Sequence, residues 1–145
     1  MHIEVDQSGK IERLSMDTII ACSNSRQYCV MIPKKVKQKI YTGYRGEIKQ
    51  LRYKLFCVGI YFYIRGFSDC SLVVIDDEYL GRNKLIKSIL LNYIKKENPA
   101  FESCFVKFGN IGKESNAHHL AIETFRGEHK PNEILTENQI MGVLK

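Results

Sequence analysis

Apolar and polar positions along this chain fall first into short alternating patches and later into helical stripes. Residues 2–6 alternate, with a turn signal after them in Ser8-Gly9. Residues 17–22 make a second extended patch, closed by the polar turn Ser23-Asn24-Ser25. Residues 27–32 make a third, stopped at Pro33, which cannot donate to a strand ladder. Two short connections in succession predict an antiparallel meander. Residues 46–64 place Leu51, Leu55 and Val58 on one stripe and predict a helix, although residues 57–64 are also rich in strand-forming aromatic and β-branched types. Leu72-Val73-Val74-Ile75 is apolar throughout, as in a strand covered on both faces, and ends in Asp76-Asp77-Glu78. Residues 84–96 form an amphipathic helix with Leu85, Ile86, Ile89, Leu90 and Tyr93 on one side. Residues 104–108 read as a fifth strand and 115–125 as a helix ended by Gly127 and Pro131. A last short helix starts at Thr136, where Gln139 completes a capping box.

The resulting order is β-β-β-α-β-α-β-α, with a helical tail over 128–145. Alternation in the second half implies right-handed crossovers and a parallel portion of sheet. The expectation is one α/β domain over 1–145 with a five-stranded mixed sheet, three strands antiparallel and then parallel ones, and helices on both faces. Placing the fourth strand beside the first brings Asp6 and Asp76 together at carboxyl ends of strands, where open α/β sheets bind ligands.

Composition narrows the class of partner. Hydrophobic residues at 44% and charged residues at 26% are ordinary globular values, so disorder is not expected. A net charge of +6 suits an anionic partner, most often nucleic acid, although it also serves plain solubility. The five cysteines form no Cys-x-x-Cys pair and read as buried thiols in a reducing compartment. Neither they nor His2, His118, His119 and His129 have the spacing of a structural zinc site. Residues 55–64, the longest nearly apolar stretch, are about half the length of a spanning helix, and residues 2–6 carry no signal-peptide pattern. A cytoplasmic protein without a membrane partner is therefore expected.

Three positions suit chemistry on phosphodiesters, which needs an activated water and a stabilised leaving oxygen. Carboxylates from different elements can hold Mg²⁺ for both purposes, and an imidazole can replace one of them where Mn²⁺ is accepted. Asp6 ends the first strand, Asp76 ends the fourth with Asp77 and Glu78 behind it, and His118 lies early on the last long helix. Each has a plainer reading: Asp6 and Asp76 as turn or cap residues, His118 as a half-buried core histidine beside Ala121, Ile122 and Phe125. Lys34, Lys35, Lys37, Lys39 and Arg45, interleaved with Tyr41 and Tyr44, are the candidate substrate-binding residues, or else a solvated edge.

The strand order, the Asp in Val5-Asp6-Gln7-Ser8-Gly9, the Asp closing the Leu72 run and Ala117-His118-x-x-Ala121 together resemble the ribonuclease H superfamily. The Asp-Asp-His set is similar to that of Argonaute PIWI domains and RuvC-like resolvases, and Ile75-Asp76-Asp77-Glu78-Tyr79 is similar to a strand-end segment of ribonuclease HI. The resemblance implies a metal-dependent nuclease leaving 5′-phosphate and 3′-hydroxyl ends. Asp6 and Asp76 (favoured over Asp77) would bridge Mg²⁺ or Mn²⁺, with His118 completing one shell. The family usually adds an acidic residue on the first helix, where this chain offers only Glu47. Two alternatives accompany that reading: a non-catalytic nucleic-acid-binding or scaffold domain acting through a protein partner, and a Holliday junction resolvase-like homodimer.

Overall fold

The computed structural model describes residues 2–23, 27–65, 72–101, 105–112 and 115–144. The predicted turn at Asn24-Ser25, and Cys70 and Cys104, lie outside the described residues. Strands β1 (His2–Ser8), β2 (Thr18–Ser23) and β3 (Gln27–Ile32) form the expected antiparallel meander. Their period-two alternation sends Ile3, Val5, Ile20, Val30 and Ile32 into a large core on one face. Ile19, Ala21 and Cys29 face a smaller core on the other.

Strand β4 (Leu72–Asp76) pairs parallel to β1, and β5 (Val106–Gly109) pairs parallel to β4. A sixth strand, β6 (Glu133–Ile134), pairs parallel to β3 and completes the order β5-β4-β1-β2-β3-β6. The sheet is therefore six-stranded rather than five-stranded, and the 128–145 segment supplies a strand as well as a helix. Two residues carry no periodicity to read. Tertiary bonds define β6 instead, with the Asn132 carboxamide accepting from Cys29 N at 2.7 Å and Tyr28 donating to Glu133 at 3.0 Å.

Five helices are formed among the described residues. Helix α1 (Lys34–Tyr44) occupies the run expected only as a basic segment. Pro33 precedes its first residue, and Asp17 Oδ1 accepts from the exposed Lys34 N–H at 2.8 Å, which gives the helix its start. Helix α2 (Leu51–Ile64) begins later than expected because Gln50 adopts a left-handed conformation, φ 60°, and breaks the chain from the turn before it. From Leu55 onward every α2 side chain is buried, between β2 and β3 on one side and helices α3 (Asn83–Lys95) and α5 (Glu137–Leu144) on the other. Burial all round explains a composition that suits strand and helix equally. At Gly59 the backbone of α2 lies against Ile20, where a Cβ would collide with Cδ1.

Helix α4 (Asn116–Phe125) packs on the opposite face, against β1, β2 and β3, with Leu120 and Ala121 in the small core. In α5 the predicted capping box is formed: Thr136 N–H donates to Gln139 at 2.9 Å, and Gln139 N–H donates back to Thr136 Oγ1 at 3.2 Å. No helix among the described residues is long and apolar enough to cross a membrane.

Candidate metal centre

Strand register decides where the acidic side chains meet. β1 and β4 pair with Val5 beside Ile75, so the next residues, Asp6 and Asp76, are neighbours. Both project on the α4 face, opposite Val5 and Ile75, at or near the carboxyl ends of parallel strands. Asp6 is buried, 4% exposed; its Oδ1 accepts from Gln7 N–H at 2.8 Å. Asp76 Oδ1 accepts from Ile111 N–H at 3.1 Å, in the connection that leaves β5.

The chain then turns back, with Glu78 N–H donating to Asp76 O at 2.9 Å. That turn returns the Glu78 carboxyl to the two aspartates, and ligand oxygens of Asp6, Asp76 and Glu78 lie within 4.8 Å of one another. Burial pushes the Glu78 carboxyl well above the usual carboxylate range, helped by its hydrogen bond to Asp6 and the charges of Asp6 and Asp76, with Lys10 opposing. Crowded carboxylates of this kind are a hard-oxygen donor set whose mutual repulsion a divalent cation relieves.

His118 approaches the cluster through Asp6, its Nδ1 standing 2.8 Å from Oδ2. A carboxylate oxygen accepts, so the ring N–H at Nδ1 donates to Asp6 Oδ2. The start of α4 is tied down two residues upstream of Asp6 along β1. There Ser115 Oγ donates to Glu4 at 3.0 Å while accepting from Ala117 N–H at 3.2 Å as the helix cap. His118, three residues into that capped turn, is thereby held over Asp6.

A second set of bonds supports Glu78 from beneath. Gln7 Nε2 donates to Tyr79 Oη at 3.0 Å, and Tyr79 donates to Glu12 at 3.2 Å. The Tyr79 ring packs edge-on against Tyr53 and Phe56, with centroids 5.4 and 5.6 Å away.

Of the residues expected at the site, Asp6 and Asp76 are brought together and His118 touches Asp6. Asp77 and Glu47 are not in the cluster; both are exposed, Glu47 in the turn between α1 and α2. Glu78 is the third carboxylate. Nothing local singles it out from Asp77, because β4 ends at Asp76 and the turn after it, not strand alternation, returns the Glu78 carboxyl.

Among the basic candidates, Lys34, Lys35, Lys39 and Arg45 are exposed, and Lys39 pairs with Glu137 at 3.4 Å. Lys37 is the exception and a correction: it is fully buried, donating to Arg13 O at 2.8 Å, Thr18 Oγ1 at 2.9 Å and Lys10 O at 3.4 Å. Its ammonium ties the 9–17 connection to α1 and does not reach solvent. Burial lowers its pKa to about 8, against the opposing pull of Asp17 and Glu12.

Fold and site together define an α/β protein with a mixed sheet and a carboxylate cluster where two parallel strands end. No protein-family model, curated protein or solved structure matches the chain.

Proposed function

We propose that the protein is a metal-dependent nuclease on a ribonuclease H-like fold. The observation that carries this reading is the convergence of Asp6, Asp76 and Glu78 at the carboxyl ends of two parallel strands, with His118 bonded to Asp6. The core order β5-β4-β1-β2-β3, a meander continued by parallel strands, supports it.

Three carboxylates suit Mg²⁺ or Mn²⁺, which bind through oxygen and retain water. When bound, the metal supplies charge neutralisation at the phosphodiester and an activated water. The chain's own residues do the rest. Asp6, Asp76 and Glu78 hold the cation between β1, β4 and the turn after β4. His118 orients Asp6 through its Nδ1 hydrogen bond.

The test is cleavage of end-labelled RNA, DNA, hybrid and four-way junction substrates with Mg²⁺ or Mn²⁺, comparing wild type with Asp6→Asn. Metal-requiring cleavage that falls at least 100-fold in Asp6→Asn is the expected result. Salt-sensitive binding without cleavage of any substrate, unchanged by Asp6→Asn, overturns the nuclease reading in favour of a non-catalytic binding protein.

A further inference from the structure

Every described strand except β2 points its carboxyl end toward the same edge of the sheet. The connections leaving β1, β3 and β4 therefore open on that edge, the edge at which the acidic cluster lies. They carry exposed cations. Lys10 follows β1, and Lys34 and Lys35 start α1 after β3; Arg82 and Lys84 lead into α3 after β4.

In the turn after β4 stands Leu80, 83% exposed and two residues beyond Glu78. Its neighbour Tyr79 is 7% exposed and held by Gln7, Glu12, Tyr53 and Phe56, while Gly81 turns the chain at φ 78°. The turn is thus anchored through Tyr79 and displays an apolar side chain two residues from Glu78 and two from Arg82. A leucine in water gains nothing in the free protein. Packed on a base or sugar face it loses that exposed apolar surface, and the neighbouring cations supply the phosphate contacts. β3 lies three strand spacings from β4, about 14 Å. That is the axial length of about four nucleotides of one strand.

We propose that the 79–82 turn is a substrate-contact element: Leu80 packs on a base of the strand whose phosphate sits at Asp6, Asp76 and Glu78, Arg82 and Lys84 hold phosphates on one side of it, and Lys10, Lys34 and Lys35 hold those on the other. The proposal takes its substrate class from the nuclease reading, but does not require that cleavage occur.

The test is fluorescence anisotropy of labelled single-stranded and duplex RNA and DNA in EDTA, over a salt series, with the full chain. Arg82→Gln/Lys84→Gln and Lys34→Gln/Lys35→Gln should each weaken binding about 10-fold, and each should flatten the dependence of log K on log salt by about 1 to 2. Leu80→Ser should weaken binding about fivefold with the salt dependence unchanged, the signature of an apolar contact. Lys95→Gln/Lys96→Gln, exposed at the far end of α3, should bind as wild type.

Absence of binding, wild-type binding by Leu80→Ser, or equal losses in the α3 control pair would each overturn the contact surface. So would a shift of Leu80→Ser from dimer to monomer in sedimentation, which would assign the leucine to a second copy of the chain. Parallel assays with Mn²⁺ separate the two readings. Predicted binding losses without cleavage retain the contact surface and remove the nuclease; cleavage with unchanged KM in all variants does the reverse.

Discussion

Lys37 places an ammonium inside the fold. Three oxygens surround its ammonium, yet burial outweighs them and lowers its pKa from 10.5 to about 8. The folded state therefore disfavours the charged form. That penalty is present in full below about pH 8 and is relieved as pH rises toward 10.5, because the folded protein releases the proton before the unfolded chain does. Against Lys37→Met, wild type should gain stability across this window, by at most about 3 kcal/mol. Urea unfolding of both proteins at half-unit steps of pH reads the difference directly, and a difference that stays flat with pH would refute the assignment. The same residue marks a limit of reading a sequence. Lys37 sits among Lys34, Lys35 and Lys39 and looks like them, but the helical period turns it inward with Ile40, buried beside it.

Elements, by contrast, follow closely from local pattern wherever they are long or capped. The meander, α3, α4 and the capping box of α5 were all legible from alternation, amphipathic stripes and turn residues. The misses have physical causes. α1 hid behind a proline and a run of lysines, the start of α2 depended on a left-handed Gln50, and β6 exists only because β3 lends it an edge. The connection between β1 and β2 shows how much one small residue can hold. Gly9 has φ 72°, and a Cβ there would strike Asp17 O and the Phe125 ring. Gly9→Ala should cost about 2–3 kcal/mol by thermal or urea unfolding, through a strained backbone and overpacking together. A loss below about 0.5 kcal/mol would show that the connection can move aside, loosening its hold on Lys10 and Glu12.

At the scale of the whole molecule, the acidic cluster sets stability against ligation. Three carboxyls gathered within 4.8 Å repel one another and raise the cost of ionising Glu78. Without metal, Glu78→Gln should be as stable as wild type or about 1 kcal/mol more so, since an amide there does not carry the cost of holding a partly buried carboxyl against ionisation. With Mn²⁺ the order should reverse. A cation bound to the folded state alone stabilises it by about 2.7 kcal/mol at 100 times its dissociation constant, and Glu78→Gln should forfeit most of that. Differential scanning calorimetry in EDTA and across a Mn²⁺ series measures both quantities. Equal Mn²⁺-induced shifts in the two proteins would remove Glu78 from the ligand set.

The sequence by itself determined the order of the principal elements, the side-chain parity of the strands and the carboxylates at their ends. Those properties depend on neighbours a few residues apart, through backbone sterics, period and capping. Only the tertiary structure decided that Val5 stands beside Ile75, that Glu78 rather than Asp77 or Glu47 turns toward Asp6, and that Lys37 faces inward. Each of those is settled by contacts between segments distant in the chain. There, parallel register, a buried hydrogen bond or the burial of a charge outweighs anything local preference can specify.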